Sequence, residues 1–156
     1  MVLKCTDSME LYTDNKPYAF SIQLPRPLTL KGYWSVALLE TFLPSRNKHS
    51  DEVYIYTNLC EDTIVGNREL PLLRKVHLEA EESSNKIFTF PYEVPVRLGQ
   101  VHDVHVYIKD AKGLEARFLQ EGVSLTLQLR FRGLQLCPDP HTYQIRGYGK
   151  RFTEIC

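Results

Sequence analysis

The clearest pattern in the chain is the strict alternation of apolar and polar residues from Val123 to Phe131, which reads V-S-L-T-L-Q-L-R-F. A period of two is typical of a β-strand with one buried face and one solvated face. Similar runs recur along most of the chain, and no long amphipathic helical pattern interrupts them. The pattern therefore predicts an all-β protein.

About eight segments have strand character and are separated by turn residues. They are Tyr18–Leu24, Tyr33–Leu43, Val53–Thr57, Leu72–Leu78, Lys86–Phe90, Val94–Leu98, Asp103–Lys109 and Val123–Phe131. Turns at intervals of about 8–12 residues are typical of a β-sandwich or a closed barrel. Because several connections are too long for tight hairpins, we expect Greek-key or jelly-roll wiring. An immunoglobulin-like sandwich is the alternative.

Three local patterns refine this prediction. Pro25–Pro27 should break the strand ladder, because proline donates no backbone hydrogen bond. The segment from 33 to 43 is apolar on both faces, and alternation places Phe42 on the same face as Leu38. Asn58 is suited to cap a short helical turn over Leu59–Val65.

The chain length and composition indicate one globular domain. The chain has 156 residues, of which 43% are hydrophobic and 24% charged, a composition typical of a globular protein with a sizeable core. Residues 133–156 show no clear period and contain scattered glycines, prolines and aromatic residues. We therefore predict a jelly-roll domain over residues 1–132 and an extended C-terminal arm over residues 133–156.

The charge and the cysteines narrow the classes of function. Lys plus Arg and Asp plus Glu both number 19, whereas a protein that coats nucleic acid is usually clearly basic. Near-zero net charge favours self-association. Cys5, Cys60, Cys137 and Cys156 form no C-x-x-C pair, so a zinc knuckle is not expected. The N-terminus lacks the apolar region of a signal peptide, so we expect a protein that is not secreted, with reduced cysteines that serve in packing.

Candidate catalytic and metal-binding patterns are weak. His102 and His105 are three residues apart, which on a strand places them on opposite faces. The H-x-H pair of a cupin metal site, the G-x-S-x-G elbow and glycine clusters are all absent. We therefore expect no enzymatic activity, no metal and no cofactor. No apolar run approaches the length of a transmembrane helix, so we expect no membrane contact.

The C-terminal arm interleaves aromatic residues with cations. The relevant residues are Tyr143, Arg146, Tyr148, Lys150, Arg151 and Phe152. Such a mixture can bind single-stranded nucleic acid, can dock on a neighbouring subunit, or can form a packed terminal strand. Because the arm has only three cations, we expect docking on a neighbouring subunit rather than nucleic-acid contact.

Three tyrosines lie on the non-core faces of their predicted strands, namely Tyr54, Tyr56 and Tyr107. Exposed tyrosines often mark an interface. A second sheet face that is partly covered by other residues explains the pattern equally well. Trp34 or the Tyr54–Tyr56 pair could also stack on sugars, which keeps a carbohydrate-recognition module as the alternative function.

Two longer segments carry a family resemblance. Val53–Val76 contains the strand Y-I-Y-T followed by I-V-G and P-L-L-R, and Val101–Phe131 contains the D-x-x-G turn and the strand T-L-Q-L-R-F. Together these segments resemble the small capsid proteins of Polinton (Maverick) elements and of the related adintoviruses of animals. The resemblance implies a single jelly-roll minor capsid protein, similar to the penton at the five-fold vertices of an icosahedral shell.

Further expectations follow from that resemblance. It implies homopentamers, a double jelly-roll major capsid protein as the larger partner, and a place in a virion produced in the cytoplasm or nucleus of a host cell. For the subunit interface, the apolar residues in an otherwise turn-like segment suggest Ile64 and Val65 for apolar contact and Arg68 and Arg74 for polar contact. In the arm, Tyr143, Tyr148, Arg151 and Phe152 are the candidate docking residues.

Overall fold

The computed structural model describes residues 1–44, 52–78, 84–97, 99–119 and 122–134. Within these ranges the secondary structure consists of strands and turns, with no helix. The strands are β1 (Val2–Lys4), β2 (Ala19–Leu30), β3 (Tyr33–Leu43), β4 (Glu52–Thr57), β5 (Thr63–Val65), β6 (Arg68–Leu70), β7 (Leu72–His77), β8 (Ser84–Ile87), β9 (Val94–Pro95), β10 (Gly99–Asp110) and β11 (Thr126–Leu134). The prediction of an all-β protein is confirmed. In the same ranges, no helix has the length and apolar character needed to cross a bilayer.

The strands form two main sheets and one small hairpin. The five-stranded sheet has the order β1-β11-β3-β8, with β9 also paired to β3, and the four-stranded sheet has the order β2-β10-β4-β7. The strands β5 and β6 pair only with each other. All of these pairings are antiparallel.

The order of pairing is nested along the chain. The first strand β1 pairs with the last strand β11, β2 pairs with β10, β3 with β8, and β4 with β7. The chain passes from one sheet to the other at each step from β1 to β4. In an immunoglobulin-like sandwich the first two strands lie in the same sheet, so the strand order of this chain is different.

Side chains from both sheets form one hydrophobic core. Leu38 and Leu127 of the five-stranded sheet and Ile55 and Ile108 of the four-stranded sheet are all fully buried in a single cluster. Complete burial of such a side chain contributes roughly 1.5–3 kcal/mol. The two sheets therefore pack as the layers of a β-sandwich, as their alternating strands predicted.

A β-bulge in β3 overturns the predicted face of Phe42. Leu38 pairs with Leu129, but Glu40 pairs with Gln128, so Leu39 is an extra residue on β3. The extra residue reverses the alternation beyond it. Leu43 rather than Phe42 therefore joins the core cluster, and Phe42 is only half-buried.

The strand β2 continues through Pro25–Pro27, so the predicted end of this strand at Leu24 is wrong. The ladder itself is interrupted there. Gln23 of β2 pairs with Asp103 of β10, and the next paired residue of β2 is Leu28, which lies opposite Val101. The prolines are tolerated because β2 lies at the edge of its sheet.

The predicted helical turn over Leu59–Val65 is also wrong, since β5 and β6 form a hairpin there. Gly66 occupies the turn with φ at 65°, at the position where a type II′ turn favours glycine. Asn58 does not cap a helix. Its side-chain amide donates to the Asp103 carbonyl at 2.9 Å and accepts from the His105 amide at 2.9 Å, which attaches it to β10.

Several other strand boundaries also differ from those predicted. The strand β8 ends at Ile87, before Phe90, and β9 covers only Val94–Pro95. The strand β11 continues to Leu134, past the predicted domain boundary at residue 132. Residues 135–156 lie outside the described part of the chain, and with them the candidate docking residues of the arm, Tyr143, Tyr148, Arg151 and Phe152.

Candidate functional site

A surface cleft lies where the β5–β6 hairpin meets the edges of both sheets. It has a volume of about 490 Å³. It lies beside β7, the last strand of the four-stranded sheet, and β9, which pairs with β3 of the other sheet. Its lining includes Glu61, Ile64, Leu72, Arg74, Tyr92 and Pro95. We call this surface the hairpin edge.

The structure brings together two of the four interface residues predicted in this segment. Ile64 and Arg74 both line the cleft of the hairpin edge. Ile64 is 76% exposed, which is a high value for an aliphatic side chain. Val65 and Arg68 pair directly with each other across the hairpin, and neither lines the cleft.

Arg74 makes its main contacts inside the molecule. It pairs with Ile55, a core residue of β4, so its side chain lies on the core side of the edge strand β7. Its guanidinium covers the Phe88 ring at 3.9 Å from the ring centroid. Both terminal nitrogens donate to the Phe90 carbonyl at 3.5 Å. Burial lowers the pKa of Arg74, as expected for a charge placed at the rim of a core.

Exposed aromatic residues next to this cleft were not predicted as functional. Phe90 is 87% exposed and Tyr92 is 66% exposed. The pattern of the sequence predicts a strand that ends at Phe90, but β8 ends three residues earlier. The sequence feature that could have indicated their exposure is Pro91, which lies between them. A proline interrupts the hydrogen-bond ladder and so leaves its neighbours outside the sheet.

A second apolar cleft lies at the opposite edge of the sandwich, and no sequence pattern predicted it. It has a volume of about 680 Å³ and lies between the edge strands β1 and β2. Apolar side chains dominate its lining, among them Met1, Val2, Leu24, Pro25, Pro27 and Leu28. Two charged residues, Asp7 and Arg26, also line it. We call it the N-terminal cleft.

A polar cluster attaches the segment before β2 to the outer face of the four-stranded sheet. The Ser21 hydroxyl lies 2.7 Å from Nδ1 of His105, its direct partner on β10. The Tyr12 hydroxyl donates to the Asp103 carboxylate at 2.8 Å, which raises the pKa of Tyr12. These pairs depend on strand register, which the sequence pattern alone did not specify.

The two histidines of β10 are both exposed and line the same surface cleft of about 390 Å³, although alternation predicted opposite faces. The partners of β10 shift between Val101 and Asp103, next to His102, which disturbs the simple alternation there. Across the described ranges, no group of three or more His, Cys, Asp and Glu residues is placed to hold a metal ion.

The aromatic residues considered for sugar stacking are largely covered. Tyr56 is only 4% exposed and stacks on Tyr107 with a ring-centroid distance of 5.0 Å. Burial raises the pKa of both phenols. Trp34 is half-buried, and its indole nitrogen donates to the Lys31 carbonyl at 2.8 Å. Of the two interpretations of the tyrosines, a covered sheet face fits this packing better than an exposed interface.

The comparisons with known proteins add no relative to these observations. No protein-family model matches the chain, and a search of curated proteins gives no match.

Proposed function

We propose that this protein is a single jelly-roll minor capsid protein that forms homopentamers at the five-fold vertices of an icosahedral shell. The observation that carries the proposal is the nested strand pairing, first with last and so on inward to β4 with β7. A jelly roll is an eight-stranded double-sheet arrangement of two Greek keys, and viral capsid domains are one of its main uses. The two segments that resemble Polinton capsid proteins, Val53–Val76 and Val101–Phe131, supply β5 and β6 and most of β4, β7, β10 and β11.

The distribution of apolar surface supports assembly into a ring. A ring with five-fold closure needs two different surfaces on each subunit that meet head to tail. The hairpin edge and the N-terminal cleft lie at opposite ends of the strand order in the four-stranded sheet. Each surface combines apolar side chains with charged groups, as subunit interfaces do.

Three edge strands of the two sheets, β1, β2 and β7, are protected against uncontrolled strand addition. The strand β1 has only 3 residues, β2 contains Pro25 and Pro27, and β7 carries the inward-pointing Arg74. Each of these devices discourages edge-to-edge pairing. Neighbouring subunits would then meet through side chains, which suits modest contacts repeated many times in a shell.

The larger partner, by the same resemblance, is a double jelly-roll major capsid protein, and the assembled protein belongs to a virion. A carbohydrate-recognition module is the competing function, because lectin domains share the jelly-roll architecture. This alternative needs exposed aromatic rings that stack on sugars. Tyr56 is buried and Trp34 is half-buried, which weighs against it.

The test is the oligomeric state of the purified protein. Light scattering coupled to size-exclusion chromatography should give five times the chain mass of 18.1 kDa, and negative-stain images should show five-fold rings. A monomer that binds glycans on an array would replace the proposal with the lectin function. A monomer without glycan binding would also contradict it.

A further inference from the structure

We propose that the exposed face of the β5–β6 hairpin of one subunit, which carries Ile64 and Glu69, inserts into the N-terminal cleft of the next subunit. This inference rests on the proposed homopentamer and specifies which two surfaces meet in it. Ile64 and Glu69 are the hairpin residues that contact the N-terminal cleft of the next subunit. Arg26 is the residue of the cleft that receives the Glu69 carboxylate.

The hairpin presents one apolar and one acidic side chain together. Ile64 and Glu69 pair directly across the two strands, so they share one face of the hairpin. Both are exposed. On the other face, Val65 and Leu70 are half-buried. A two-stranded hairpin is marginally stable on its own in water, so further contacts to its exposed face would stabilise it.

The N-terminal cleft has the complementary character. Its lining is mainly apolar, and it includes Arg26, which lies between Pro25 and Pro27 in the sequence. The other charged residue, Asp7, already accepts a hydrogen bond from the Lys4 amide at 3.2 Å. Neither Arg26 nor Glu69 has an ion-pair or side-chain hydrogen-bond partner in the described part of the chain. An opposite charge on each surface provides the attraction and fixes the register of docking.

A β5–β6 hairpin that occupies the cleft comes from another molecule. The cleft borders β2, whereas the hairpin is continuous with β7 at the other edge of the same sheet. The strands β10 and β4 lie between these edges, so the edges are separated by three strand spacings, or roughly 14 Å. Because the hairpin and the cleft are different surfaces, each subunit can offer one to each neighbour, which is the head-to-tail contact of a closed ring.

Charge reversal tests the pairing of Glu69 with Arg26. We expect Arg26→Glu and Glu69→Arg each to raise the protein concentration needed for half-assembly at least about tenfold, because each places like charges together. The double variant R26E/E69R should recover most of the assembly. Light scattering over a dilution series measures each variant, and circular dichroism verifies that each remains folded.

Substitution of Ile64 tests the apolar part of the contact. Ile64→Ser should weaken assembly. Leu114→Ser is the matched control, because Leu114 is 63% exposed in the turn after β10 and lies on neither surface. The control should assemble as the wild-type protein does.

The outcomes separate this inference from the function on which it rests. A wild-type monomer overturns the proposed pentamer and this interface with it. A wild-type pentamer that is unaffected by both charge reversals and by Ile64→Ser keeps the proposed function and overturns the interface. Loss of assembly in both single charge variants without recovery in the double variant would overturn the pairing of Arg26 with Glu69.

Discussion

The Arg74 guanidinium lies over the Phe88 ring, 3.9 Å from the ring centroid. Arg74 belongs to the edge strand of the four-stranded sheet, and Phe88 directly follows β8, at the edge of the five-stranded sheet. The contact therefore joins the two layers at one side of the sandwich. A cation over an aromatic face gains electrostatic energy from the ring quadrupole, and here it also covers the rim of the core.

Arg74→Ala should lower the free energy of unfolding by about 1 kcal/mol, through loss of the cation–π contact and of the stem that covers the core. Urea denaturation followed by intrinsic fluorescence measures the change. Arg68→Ala is the control, because Arg68 is exposed on the hairpin, and it should change stability by no more than about 0.5 kcal/mol. Equal stability of the two variants would contradict the role given to Arg74.

The bulge in β3 predicts different responses from two adjacent leucines. Leu38 is fully buried in the core, whereas Leu39 is the extra residue and is only half-buried. Leu38→Ala should cost about 2–5 kcal/mol of stability, because it leaves a cavity. Leu39→Ala should cost clearly less in the same urea titration. Similar costs for both substitutions would contradict the bulge.

The thiol of Cys60 should be unreactive in the folded protein. Cys60 is fully buried, and desolvation raises its pKa to about 12. At pH 8 only roughly one thiol in ten thousand would then be ionised, and the thiolate is the reactive form. Mass spectrometry of peptides after iodoacetamide treatment should find Cys60 unmodified in native protein and modified in urea. Rapid native modification would contradict the buried position.

Glu93 should contribute to the pH dependence of stability. Its carboxylate accepts a hydrogen bond from the Ser35 hydroxyl at 2.7 Å and pairs with Arg130 at 2.6 Å, and these contacts lower its pKa. Since an unfolded glutamate titrates near about pH 4.3, this stabilisation is present above that pH and is lost as the pH falls through the lower folded value.

We therefore expect Glu93→Gln to be less stable than the wild-type protein at pH 6, with the difference shrinking towards pH 3. Thermal unfolding at a series of pH values measures this difference. Glu10→Gln, at an exposed position, serves as the control and should follow the wild-type curve. A Glu93→Gln curve parallel to the wild-type curve would show that this carboxylate does not titrate differently on unfolding.

Alternation located most strands, but it did not always predict which face of the sheet an individual residue occupies. The run from Val123 to Phe131 predicted a strand in the right region but three residues too early, since β11 spans Thr126–Leu134. Its predicted buried face is correct, because Leu125, Leu127 and Leu129 are buried. Phe42 was assigned to the wrong face because a bulge inserts a residue, and a bulge leaves no clear mark in a one-dimensional pattern.

The candidate site was only partly predictable. Ile64 could be selected because an apolar residue in a polar, turn-like segment is informative without a structure. Arg74 could be selected for its charge, but the inward position of its side chain depends on strand pairing. The N-terminal cleft lies between β1 and β2, which are consecutive in the chain but belong to different sheets. Their approach depends on how the two sheets pack, so Arg26 gave no signal in the sequence.

The sequence by itself determined the class of this protein. Period-two alternation and turn residues act locally, and they are sufficient to specify short strands with one apolar face. The tertiary structure alone decided which strands are neighbours, where the bulges fall, and that two apolar surfaces lie at opposite edges of one sheet. Those features arise from pairing between distant segments, and their free energy depends on the packing of the whole core rather than on any local run of residues.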